Sequence, residues 1–125
     1  MKGYFHDLRG EALANNYFRR VAETGGKMQV VLMSLAVGEE IGMEVHPDNE
    51  QMLLNVAGQG KTILNGEAEN FNEGDMVLVR AGVEHNFINV GQEPLKIITL
   101  YSPPHHADGT IHKTKAEAEA AEASE

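Results

Sequence analysis

Six short apolar runs between residues 28 and 101, each closed by a turn, leave this chain few folds to choose from. They are "MQVVLMSLAV" (28–37), "QMLLNVA" (51–57), "KTILN" (61–65), "DMVLV" (75–79), "HNFINV" (85–90) and "LKIITLY" (95–101), with "GQG", "NG", "NEG", "AGVE" and "GQEP" among the breaks between them. Runs of this length are strands. Asn65-Gly66 is a hairpin signal, because both residues tolerate the positive φ of a tight I′ turn. With no long helical pattern between the runs, the spacing predicts an all-β antiparallel sandwich or small barrel.

Length and charge narrow the function classes. The 125 residues, 42% of them hydrophobic, suit one domain with one packed core. Nineteen acidic against ten basic residues give a formal charge of −9, and the scattered Lys and Arg offer no seat for a phosphate backbone. Nucleic acid is therefore not expected as a partner. Without cysteine there is no disulfide, thiolate metal site or cysteine nucleophile. No apolar run approaches the length of a membrane span, and "MKGYFHDLRG" does not read as a signal peptide, so a cytoplasmic protein is expected.

The ends differ from the middle. "LRGEALANN" (8–16) reads as a short helix or an irregular cover. "KTKAEAEAAEASE" (113–125) has helix propensity but no apolar stripe to bury, which suggests a frayed helix or a disordered acidic tail after a single barrel domain over 1–112.

Chemistry concentrates in "EVHPDNEQ" (44–51). Glu44 and His46 lie two apart on one strand face, and Pro47-Asp48 breaks the strand so that Gln51 returns towards them. His85, opening the strand after "RAGVE", is the natural fourth donor. Two imidazoles, a carboxylate and an amide suit one divalent transition metal, Mn, Fe, Co, Ni or Zn, better than Ca or Mg. Glu50 is the alternative to Gln51.

The same residues resemble the two motifs of the cupin superfamily. Gly38, Glu44, His46, Gln51 and Gly58 fall at the spacing of the first motif, and Gly74, Gly82, His85 and Asn89 at that of the second. The chain departs from the pattern at three places: Glu44 stands for the first histidine, Gln51 for the glutamate and Arg80 for a proline. The resemblance implies a double-stranded β-helix, or jelly-roll barrel, with a metal inside it. Phe87, two beyond His85, is a pocket-lining candidate, with core packing as the competing account. "HHADGTIH" (105–112) reads as a loop that happens to carry histidines, with a second metal cluster or a lid over the barrel mouth as the alternatives.

The resemblance further implies a small-molecule enzyme, isomerase-like or dioxygenase-like, or else a barrel that binds or senses a ligand without turnover. No residue beyond the ligands is singled out as catalytic. Strand parity adds a partner: if Gln51, Leu53 and Asn55 face inward, Met52, Leu54 and Val56 form an apolar outer face. Either the first twenty or so residues cover it or a two-fold homodimer does, and the homodimer is expected.

Overall fold

The computed structural model describes residue 3 and residues 6–123, Ala123 by its backbone only, so residues 1, 2, 4 and 5 of the N-terminal segment and 124 and 125 of the tail lie outside it. In chain order the elements are α1 (Leu8–Ala14), β1 (Arg19–Thr24), β2 (Gln29–Leu35), β3 (Glu50–Ala57), β4 (Gly60–Leu64), β5 (Glu67–Phe71), β6 (Met76–Val79), β7 (His85–Asn89), β8 (Leu95–Ser102), β9 (Ile111–His112) and α2 (Lys115–Ala123). The strands form a six-stranded sheet in the order β6-β3-β8-β2-β1-β9 and a three-stranded sheet in the order β5-β4-β7. The two sheets face each other across one core, as a jelly roll requires. No helix of the described residues is long and apolar enough to cross a membrane.

Parity sorts the side chains. On β3, Gln51, Leu53 and Asn55 are buried against the opposite sheet, while Glu50 is exposed. On β2 and β8 the inward set is Val31, Met33 and Leu35 with Leu95, Ile97 and Tyr101, which pack on Phe71 and Phe87 from the smaller sheet. The turns obey the same economy. Asn65 and Gly66 both take positive φ between β4 and β5. Gly58 combines φ +96° with a backbone approach so close that a Cβ would stand 2.7 Å from the Pro94 carbonyl oxygen, which no side chain tolerates.

The outer face of the large sheet is covered in part from within the chain. Ala12 of α1 packs with Leu32, Val56 and Ile98, and Leu8, Leu54 and Leu100 pack around them. The helix is fastened at both ends. The Asp7 carboxylate caps its N-terminus by accepting from the Gly10 N–H. At the other end the buried Lys96 Nζ donates to the Asn15 carbonyl, Asn16 Oδ1 and Ser34 Oγ.

The Ala/Glu-rich segment buries more than its pattern suggests. It forms α2, and Ala118, at 2% exposure, joins the main core cluster. A single small residue is enough to seat the helix, and it leaves no stripe to be read. Three strands were also illegible: β1 ("RRVAET") begins with two arginines, β5 ("EAENF") exposes every residue but Phe71, and β9 is only the two residues Ile111–His112.

Candidate metal and ligand site

The segment 40–46 lies along the free edge of β7 and fixes the site. Glu44 and His85 form a mutual antiparallel pair, each N–H donating to the other's carbonyl at 2.9 Å, and the Gly82 N–H donates to the His46 carbonyl. Directly paired residues present their side chains on the same face. His46, two further on, shares it, while Met43 and Val45 turn outward at about half exposure. Three predicted residues thus meet because one bridge and one turn place them together.

The Glu44 carboxylate stands 3.0 Å from His46 Nε2. The contact is polar and close and helps to keep the carboxylate ionised, and the buried Nε2 has no other hydrogen-bond partner. Burial pushes the Glu44 carboxyl up, yet His46, Arg19 and His85 together outweigh it and hold the group below its ordinary range. The His85 ring is 5.1 Å from that of His46. Burial lowers the pKa of His85, against the Val83 carbonyl, which lies 2.8 Å from Nδ1 and pulls the other way. That contact assigns the Nδ1 proton to Val83 and leaves Nε2 with its lone pair, as in imidazoles prepared for ligation.

Gln51 reaches the interior from β3, opposite Tyr101 and Val79. Its Nε2 donates to Thr99 Oγ1, and its Oε1 is buried with no partner. Glu50, the alternative, points out to solvent. Taken as His, Asp and Glu alone, the described residues contain no group of three or more placed to hold a metal ion. Glu44, His46 and His85 are neighbours on one wall and are not closed around a common point.

The other motif residues have plainer roles. Phe87 is fully buried, 5.2 Å from the Phe71 ring and 6.4 Å from that of His85, so it is a core residue that lies beside His85. Asn89 donates from Nδ2 to the Leu35 and Glu93 carbonyls and accepts from the Gly91 N–H, tying the ends of β2 and β7 together. Arg80, where the motif has proline, is exposed.

The segment after β8 roofs this wall. The His105 ring lies 4.4 Å from that of His46 and stacks on Tyr101 at 5.2 Å. Tyr101, fully buried, has its pKa raised by desolvation and keeps its proton. His106 follows, its ring 5.3 Å from Tyr101, and burial together with the Arg19 charge pushes it down to about 3. Gln29 holds both in place, its Oε1 accepting from the His105 and His106 N–H groups.

One polar residue of this region was missed in the sequence. Arg19, at 2% exposure, turns inward from β1 with Nη1 3.1 Å from His112 Nδ1. Its charge is felt at Glu44, Tyr101 and His106. The available signal was parity, since Arg19 and Val21 share a strand face and Val21 belongs to the core.

Comparison with known proteins agrees with this architecture. Residues 31–101 match the family model described as a cupin domain. The Bacillus subtilis (strain 168) protein YrkC is 43% identical over 114 residues, covering 86% of this chain, which itself spans only 61% of that relative's length. A protein of Acanthamoeba polyphaga mimivirus is 37% identical over 112 residues, covering 86% of this chain and 70% of the relative. Among solved structures, BH2720 from Bacillus halodurans superposes with a TM-score of 0.92 at 39% identity, covering 94% of this chain and 93% of that one.

Proposed function

The chain belongs to the cupin domain family, and on that footing we propose that its barrel holds one divalent transition metal through Glu44, His46, Gln51 and His85 and presents it to a small-molecule ligand. The observation that carries this reading is the convergence of Glu44, His46 and His85 on one wall, with Gln51 Oε1 buried and without a hydrogen-bond partner on the inner face of β3. A buried polar atom left unpaired costs about 1 to 3 kcal/mol, and a metal would relieve it. The donor chemistry fits: two imidazoles, one carboxylate and one amide oxygen, with the His85 tautomer already set. The 3.0 Å between Glu44 and His46 is about the separation of two adjacent ligands on one ion at ~2.1 Å. Side-chain rotation on the backbone fixed by the Glu44–His85 bridge is what closure needs.

A metal so bound supplies Lewis acidity or a coordination site for a carbonyl or hydroxyl group. The protein's own part is to hold and to exclude. Thr99 fixes the Gln51 amide, the Phe87 and Leu53 wall keeps water out, and Tyr101 offers a phenol that stays protonated. Apart from Glu44, the inner faces of β2, β3, β7 and β8 offer no carboxylate among the described residues. That favours a second reading beside an isomerase-like or dioxygenase-like enzyme, namely a barrel that binds or senses its ligand without turnover.

The test is elemental analysis of the protein purified without added metal, followed by loading of the stripped chain. About one equivalent of transition metal per chain supports the reading; a chain that stays empty after loading with Mn, Fe, Co, Ni and Zn in turn refutes it.

A homodimer is also proposed, on a revised basis. Val56 and Leu54 lie under α1, but a strip beyond the helix stays open: Met28 is 52% and Leu78 45% exposed at a groove of about 140 Å³ that Met52 and Leu100 also line, and Met76, on the same strand as Leu78, is 58% exposed. A two-fold partner buries such a strip against itself.

A further inference from the structure

Arg19 is a guanidinium in the wrong place for a structural ion pair. It is 2% exposed, and its Nε is buried with no hydrogen-bond partner. Among the described residues its ion-pair partner is Glu122, at 3.7 Å, and that carboxylate is 57% exposed on the last turn of α2. A pair so long and so wet does little to offset a buried charge.

The guanidinium faces a cavity of about 260 Å³ that His105, His106, Thr110, His112 and Glu122 also line. A second buried atom without a partner, His106 Nε2, belongs to the same wall. The wall is firm, because the His105 and His106 backbones are held by the fully buried Gln29 and Thr110 is tied to the Ala107 carbonyl. Its permanent charges are the buried Arg19 guanidinium and the more exposed Glu122 carboxylate at the last turn of α2, in a protein whose net charge is −9. His105 also joins the cavity to the metal wall, since its ring stands 4.4 Å from His46.

We propose that this cavity is a binding site for a small carboxylate, whose two oxygens take the Arg19 guanidinium and His106 Nε2 in place of the Glu122 side chain. The planar fork of arginine matches a carboxylate in two parallel hydrogen bonds. The volume falls below the ~300 to 1,000 Å³ typical of sites for drug-sized ligands, so the ligand is a small acid. Glu122 then acts as the chain's own competitor, occupying the guanidinium weakly until the ligand arrives. The site stands on Arg19 and its cavity and does not depend on the metal reading.

The experiment titrates acetate into the full-length chain, both stripped of metal and metal-loaded, and follows the Arg19 Nε–H signal by NMR. Acetamide serves as the neutral isostere. Saturable shifts with acetate and none with acetamide are expected in both forms, so failure here is separable from failure to bind metal. Glu122→Gln should tighten acetate at least threefold, and Arg19→Lys should weaken it at least tenfold. Equal shifts from acetamide, or an unchanged or weaker acetate affinity in Glu122→Gln, would overturn the site. Tenfold preference for inorganic phosphate would overturn the carboxylate class. If Arg19→Lys does not fold, Glu122→Gln decides alone, because that side chain is more than half exposed and its loss leaves the fold intact.

Discussion

The rings of His46 and His105 lie 4.4 Å apart, edge to face, although one residue precedes β3 and the other follows β8. One belongs to the stretch that raised the metal question and the other to a segment with no apolar pattern. Their contact makes the roof part of the site, and a variant on one wall is therefore felt on the other.

The first prediction orders the four donors. His46→Ala and His85→Ala should each reduce metal affinity at least tenfold. Gln51→Glu should keep or tighten binding by adding an anionic oxygen, while Glu44→Gln should weaken it by removing the only ligand charge. Metal content and competition with a chelator measure the series, and the opposite ranking of the last two variants refutes the assignment of Gln51.

A second concerns Lys96, which fastens the end of α1 to the large sheet. Burial lowers its pKa, and its Nζ satisfies Asn15, Asn16 and Ser34. Lys96→Met removes a buried charge but strands those acceptors, and the second effect should win, with a loss of about 1 to 3 kcal/mol in urea unfolding. Unchanged stability would mean that the charge costs as much as its bonds return.

The third is a pH dependence centred on His106. A histidine in the unfolded chain takes up its proton near pH 6.5, whereas His106, facing Arg19, His105, His112 and His46, does so only near pH 3. Between those values the unfolded state binds the extra proton. Stability therefore falls as pH drops below about 6.5 and goes on falling towards 3. His106→Gln should flatten the decline of Tm between pH 7 and pH 4.5, and a slope equal to that of the unmodified protein would exclude His106 as its source.

The fourth addresses assembly. Leu78→Glu places a charge on the open apolar strip, outside the seat of α1, and should shift a dimer to monomer without lowering Tm by more than a few degrees. Light scattering reads the result. An unmodified protein that is monomeric at micromolar concentration refutes the dimer. Leu54→Glu is the poorer probe, because Leu54 packs beside Ala12 under α1 and the charge would unseat the helix as well.

How much of this was legible depended on where the apolar side chains fall. Strands β2, β3, β4, β6, β7 and β8 announce themselves because at least one face is turned to the core, and apolar runs follow from that. Strand β5 does not, since only Phe71 of its five residues is buried. That Glu44, His46 and His85 come together was legible because strand parity and a turn are local facts. Arg19 was not, because two adjacent arginines before a Val look like a solvated edge, and only the pairing of β1 with β2 and β9 turns the first of them inward. Ala118 shows the same limit from the other side, as a buried alanine in an Ala/Glu repeat has nothing to mark it.

Gln29 fills all four hydrogen-bonding positions of its amide, three of them with the segment above the site. Its oxygen accepts from His105 and His106, and its nitrogen donates to Thr24 Oγ1 and to the His106 carbonyl. The residue is fully buried on β2, a strand in the middle of the large sheet. The segment over His46 is thereby keyed to the framework. Lifting it past His105 means breaking the three hydrogen bonds with Gln29, so the doorway opens as a local unfolding step and not as a free hinge.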